Sequence, residues 1–235
     1  MFEALRETYD TIPEAATKYW YNHVLATAAT KGWPAAAQLC RNRIAQMTNN
    51  VAGWRTLGNS LLYGGETEGY GQVVAQAFAL APTLAGWEDQ QNLLSIASLG
   101  TNALSPEQLT RCEDLIQSVE QALVTATESK QGSAHRALGG ILLRLGRLSD
   151  SLTHLDQATD KYPSGIDRAR VLLLKTIGLY RRGRVDEARA AFDEAEAIMQ
   201  SRLLNRLSES ERFLDHAEHT YLIHRREAQS LLGLK

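Results

Sequence analysis

The chain has 235 residues, 44% of them hydrophobic and 22% charged, which is the composition of a folded globular protein and excludes a disordered one. A formal net charge of −2 excludes bulk electrostatic attachment to nucleic acid or to an acidic membrane surface. The two cysteines, Cys40 and Cys112, lie in helical apolar patterns and predict buried thiols in a reducing compartment, not a disulfide framework.

Met1 is followed by Phe2, Glu3, Ala4, Leu5 and Arg6 with no apolar core segment, so no signal peptide is read. No run approaches the roughly 18 apolar residues of a membrane span, and the expected location is cytoplasmic. Residues 2–10 suit a short leading helix, and Pro13 suits a first helical turn. Tryptophans then recur at a near-constant interval, at Trp20, Trp54 and Trp87. Around Trp20 the apolar positions Ala36, Leu39, Cys40 and Ile44 form one helical face, with Pro34 opening the helix that carries them. Around Trp54 the pattern is fuller: Leu57, Gly58, Leu61, Gly65, Tyr70, Val74, Ala77 and Pro82 alternate helix, turn and helix over 51–84. Tyr70 places a large ring between the two helices, which predicts a wider separation of them.

After Trp87, Leu93, Leu94, Ile96 and Ala97 supply a helix, and 100–104 is a long loop. Ser105, Pro106 and Gln108 then form a helix start, with a hydroxyl cap, a proline at the first position and Gln three residues after the cap. Leu109, Cys112, Leu115, Ile116, Val119, Ala122, Leu123 and Ala126 follow at steps of three and four, which predicts a long amphipathic helix. From 132 to 199 the chain repeats itself: Gly146, Ser151, Leu155 and Ala158 return 37 residues later as Gly183, Ala188, Phe192 and Ala195. Gly139 removes a side chain where two helices must approach, Gly146 supplies a positive backbone angle at a helix end, and Pro163 stops the next helix. A last helix is read over 209–232, with Gly233 past its end.

These spacings resemble the tetratricopeptide repeat (TPR) family, whose units carry a tryptophan, a Leu-Gly pair, an aromatic and a closing proline over 34 residues. The resemblance implies an all-α fold, a right-handed superhelical array of antiparallel helix pairs with about five repeats and a C-terminal capping helix. It divides the chain into 1–131, strongest at 51–84 and divergent at 85–131, and 132–235, within one continuous solenoid. The last 100 or so residues, ending in Arg225-Arg226-Glu227-Ala228 and Leu231-Leu232, also look like the repeat regions attached to bacterial serine/threonine kinases and β-propeller proteins. The chain itself carries no glycine-rich phosphate loop, His-Arg-Asp or Asp-Phe-Gly of a kinase.

In the family, set positions of each first helix line a concave peptide groove. Carried onto this chain, they give Tyr21, Arg55, Asn59, Tyr63, Arg136, Arg144, Arg170, Tyr180 and Arg181. Guanidinium forks and tyrosines suit an acidic peptide or terminal carboxylate. Arg55 with Asn59 resembles half of the family's carboxylate clamp, but Asp89, Ser133 and Ala137 depart from the rest of it. The 136–189 segment holds 11 basic against 6 acidic side chains, and solvated helix faces are the competing reading of that excess. His216 and His219 share a helix face without a third metal ligand or an H-E-x-x-H order, so a polar face accounts for them better than a metal site. No nucleophile, metal or cofactor motif is present, and Gly64-Gly65 reads as a turn. The leading expectation is a non-enzymatic scaffold that binds a protein or peptide, an acidic one by the charge of the groove, without nucleic acid, membrane or cofactor. A regulatory module of a larger signalling assembly is the second reading, and an enzyme with an unrecognised site the third.

Overall fold

Three turns of this chain are one turn repeated. Gly65, Gly146 and Gly183 have φ of +79°, +75° and +75°. In each, the following amide reaches back five residues, Glu66 to Leu61, Arg147 to Leu142 and Arg184 to Leu179, every bond 2.9 Å. The glycine amides close the shorter bond to Leu62, Leu143 and Tyr180, which completes a Schellman end to the preceding helix. The residue after each glycine then accepts the first bond of the next helix, from Tyr70, Ser151 and Ala188.

The computed structural model describes residues 13–46, 51–84, 86–101, 104–208 and 216–234; the suggested leading helix lies outside them. Among the described residues the chain is all-helical, with eleven α-helices and no strand. They are α1 (Pro13–Lys31), α2 (Trp33–Gln46), α3 (Val51–Tyr63), α4 (Thr67–Leu80), α5 (Trp87–Ala97) and α6 (Pro106–Leu123). Then follow α7 (Glu128–Arg144), α8 (Leu148–Lys161), α9 (Gly165–Arg181), α10 (Val185–Ser208) and α11 (His216–Leu232). No described helix is long and apolar enough to cross a membrane.

From α1 to α10 nearly every helix packs on its chain neighbour, and α3, α5, α7 and α9 also pack side by side. This gives two layers, an inner one of those four helices and an outer one from α4, α6, α8 and α10. Their apolar faces form two core clusters, one from Val24 to Leu142 and one from Leu143 to Leu232. The clusters meet within α7, where Ala134, Ala137, Leu138, Ile141, Leu142 and Leu143 are all buried.

Local expectations carry through where they rest on local chemistry. At Ser105 the capping box is complete: the Gln108 amide donates to the Ser105 hydroxyl at 3.2 Å, and the Ser105 amide donates to the Gln108 side chain at 2.8 Å. Gly139 stands where α7 and α8 touch: a Cβ there would lie 2.6 Å from Leu155 Cγ. Its carbonyl accepts the buried Ser151 hydroxyl at 2.7 Å. Tyr70 fits for a reason the repeat spacing does not contain. Its ring lies 3.6 Å from where a Gly58 Cβ would be, so the glycine makes room for it. Its hydroxyl donates to the Ile96 carbonyl at 2.7 Å and accepts from the Gly100 amide at 3.1 Å, which satisfies the C-terminal end of α5.

Two elements differ from expectation. Helix α6 ends at Leu123, with Val124 84% exposed, and the Gln131 side chain donates to the Ala126 carbonyl beyond it at 3.1 Å. The final helix is described from His216, the expected stretch 209–215 lying outside the described residues, and it is not confined to the end of the array as a cap. It packs chiefly on α9, reaches across to α3, and makes little contact with α10. At about 25 Å long it touches both the early and the late helices of the inner layer.

Candidate functional site

The polar face of α11 determines where this helix sits. Tyr221, Ala228 and Leu232 join the C-terminal core, as a cap would require. Glu218, His219, Thr220 and His224 are buried as well, which an ordinary cap would not do. Thr220, His224 and Glu227 follow at i, i+4 and i+7 and form one stripe that faces the inner layer.

Glu227 is the strongest link. Arg144, at the end of α7, donates to both its carboxylate oxygens, at 2.6 and 2.7 Å. The Arg144 Nε donates to the Ser98 carbonyl at 3.0 Å, so this guanidinium, 4% exposed, is engaged along both edges. Arg181, at the end of α9, adds a third donor to Glu227 at 3.1 Å. Both arginines sit in the last turn of their helices, where the exposed carbonyls favour a cation. One carboxylate of α11 therefore ties the ends of two inner helices together.

The remaining contacts run along the same face. The Asn59 side-chain amide donates to the Thr220 hydroxyl at 3.4 Å, linking α3 to α11. His219 packs in a nest of rings, with centroids 5.8 Å from Tyr21, 5.8 Å from Trp33 and 5.4 Å from Tyr63. The Arg226 guanidinium lies 4.3 Å from the centroid of Tyr63. Burial pushes the Tyr63 hydroxyl pKa up, against the pull of Arg226 and Arg225. On the other flank Glu196 of α10 accepts from Arg225 at 2.7 and 2.6 Å and from the Tyr221 hydroxyl. Arg202 donates to the fully buried Glu218 at 2.7 Å.

Beside the Glu227 grip lies a second cluster. Arg136 and Arg170 share the single carboxylate of Asp167; the Arg170 bond is 3.0 Å. Burial works to raise the Asp167 pKa, but the two guanidiniums outweigh it and hold that carboxyl below its usual range. Burial, with Arg136 adding repulsion, pulls Arg170 down to about 9. The same two effects lower Arg55 to about 10, with Tyr21 and Asp167 opposing them. The Arg136 guanidinium also lies 5.8 Å from the Tyr162 ring centroid.

Of the nine candidate residues, Tyr21, Asn59, Tyr63, Arg144 and Arg181 contact α11 directly. Arg55, Arg136 and Arg170 form the adjoining cluster around Asp167. Tyr180 does not join them; it packs at the margin of the C-terminal core. The spacing assigns His219 to a polar face, but it is buried among rings, and the role of Glu227 as the partner of two arginines on other helices has no signal in local spacing. His219 is held by aromatic rings, and among the described residues no group of three or more His, Cys, Asp or Glu could hold a metal ion. Of the Arg55–Asn59 pair, Asn59 meets Thr220, and the carboxylate of α11 on this face is gripped by Arg144 and Arg181. Comparison with protein-family models, curated proteins and solved structures gave no match to this chain.

Proposed function

We propose that this chain is a non-enzymatic interaction scaffold of tetratricopeptide-like architecture, whose inner face recognises a helix bearing a carboxylate. The observation that carries this reading is the bidentate Arg144–Glu227 pair, joined by Arg181, on a face lined by Tyr21, Asn59 and Tyr63. In this reading α11 is the resident ligand, and a partner protein would present the same features: an acidic residue for the two arginines and an aromatic or imidazole ring for the nest around Tyr63. Planar guanidinium forks give geometric selection for a carboxylate over a neutral amide. The rings supply contact area with few rotatable bonds to immobilise.

The test uses the full chain. Glu227→Lys sets a third cation against Arg144 and Arg181 and should unseat α11 while the two layers stay folded. A fluorescent peptide covering 216–232 should then bind the Glu227→Lys chain in an anisotropy titration and bind wild type at least tenfold more weakly, because the face is occupied in cis. A peptide carrying Gln in place of Glu227 should lose about tenfold in affinity. Equal binding to both chains, or no binding to either, would contradict the reading.

A further inference from the structure

The interior beneath α11 carries more positive charge than its described carboxylates balance. Two arginines share Glu227 and two more share Asp167, which gives four guanidiniums for two carboxylates. Between the two pairs lies His224, 3% exposed and under the electrostatic influence of Arg144, Arg170 and Arg136. Both ring nitrogens of His224 and the Nε of Arg170 are buried without a hydrogen-bond partner. The Ser98 backbone approaches His224 but not in hydrogen-bond geometry. A buried polar atom without a partner costs on the order of 1–3 kcal/mol, and native proteins seldom leave several in one place unless something else meets them. Arg136 and Arg170, with side chains 12% and 9% exposed, are among the least hydrated cations of the chain. Guanidiniums held close together at such burial repel one another unless an anion lies among them.

We infer that Arg136, Arg170 and His224 together form a binding site for a phosphate-class oxyanion. A tetrahedral oxyanion offers several acceptor oxygens, enough for the free Arg170 Nε–H, an Arg136 N–H and one imidazole N–H at once. A chloride ion lacks the directional acceptors, and a single carboxylate is already supplied by Asp167. Asp167 competes for the same donors: it is 41% exposed and lies at the solvent edge of the cluster. The oxyanion would complete the seat of α11 from below, and because His224 belongs to α11 the site exists only while that helix is in place.

The experiment is calorimetric titration of the full chain with inorganic phosphate at pH 7.5, with chloride at matched ionic strength as control and thermal unfolding in parallel. The expected result is saturable one-to-one phosphate binding with a raised Tm, and no such response to chloride. Arg136→Gln should weaken binding about tenfold. Asp167→Asn should tighten it several-fold by removing the competing charge, an outcome that a purely structural role for Asp167 would not produce. A phosphoserine peptide separates the sources: tighter binding than inorganic phosphate assigns the phosphoryl group to a polypeptide, and weaker binding assigns it to a free anion. A phosphate response equal to that of chloride overturns the inference. So does an Asp167→Asn chain that folds and binds phosphate no more tightly than wild type.

Discussion

Gly139 and Gly71 are both helical glycines, and their surroundings give them opposite roles. A Cβ on Gly139 would sit 2.6 Å from Leu155 Cγ and 3.2 Å from the Ser151 carbonyl, so α7 and α8 can reach their observed separation only without it. Gly71 in α4 has nothing within 4 Å of the same atom. Gly139→Ala should therefore destabilise the protein by about 1–3 kcal/mol. Gly71→Ala should stabilise it by about 0.5–1 kcal/mol, as helix propensity alone dictates. Urea denaturation of both variants checks the pair, and a destabilised Gly71→Ala would contradict this account of the helix packing. The contact at Gly139 was legible in the sequence because a Leu-Gly pair and a Leu one helix later recur at repeat spacing. The anchoring of Tyr70 was not, since its partners Ile96 and Gly100 lie outside its own helix pair.

His135 and His154 give a residue-level dependence on pH. Their Nδ1 atoms are 3.0 Å apart between α7 and α8, so one ring donates and the other accepts, and both cannot be protonated together. Burial, then His154 and Lys161, lowers the His135 pKa to about 4; burial also lowers His154, against the pull of Glu120. Both folded values lie below the unfolded value of about 6.5, so the unfolded chain binds more protons in the window between. The pair's contribution is complete above pH 6.5 and is lost as pH falls toward 4. Part of the pair is exposed to solvent, so the loss from pH 7.5 to 5 is on the order of 1–2 kcal/mol after allowance for screening. Unfolding free energies of wild type and His154→Gln at the two pH values test this, and parallel pH dependence would rule it out.

Helix α11 is the element whose placement changes the functional reading. As a cap it would need only an apolar stripe, which Tyr221, Ala228 and Leu232 provide. The buried Glu218 and Thr220 add polar contacts that a cap does not need, and they fix one register against the inner layer. Removing one partner of a buried ion pair strands the other, so Glu227→Gln should cost about 2–4 kcal/mol. A double-mutant cycle with Arg144→Gln should return a coupling energy above about 1.5 kcal/mol, whereas the same cycle on the exposed Arg184–Glu187 pair should return a much smaller one. Similar values for the two cycles would mean that Glu227 does not seat α11. The sequence showed that this helix exists, but not where it docks. Helix formation follows from local periodicity, whereas the bond from Asn59 to Thr220 joins residues 161 positions apart and leaves no trace in local spacing.

For the whole molecule, nearest-neighbour packing builds the two layers, and α11 is the element that joins early helices to late ones. In a simple array each helix pair depends on its neighbours alone. Here His219 reaches Tyr21 and Trp33, while Glu227 holds Arg144 and Arg181, so loss of α11 is felt along the whole inner face. Tyr21, Asn59, Tyr63, Arg144 and Arg181 contact α11, and Arg55, Arg136 and Arg170 cluster beside them around Asp167. What faces them was not legible, since repeat spacing says nothing about an occupant. The most direct test is hydrogen exchange on wild type and on Glu227→Lys. Exchange should be faster throughout α11 and at the inner-facing amides near Tyr63 and Arg144, with α4, α8 and the first half of α10 unchanged. Unchanged exchange in α11, or a uniform rise across every helix, would contradict the central claim that this face is held by the chain's own last helix through Glu227.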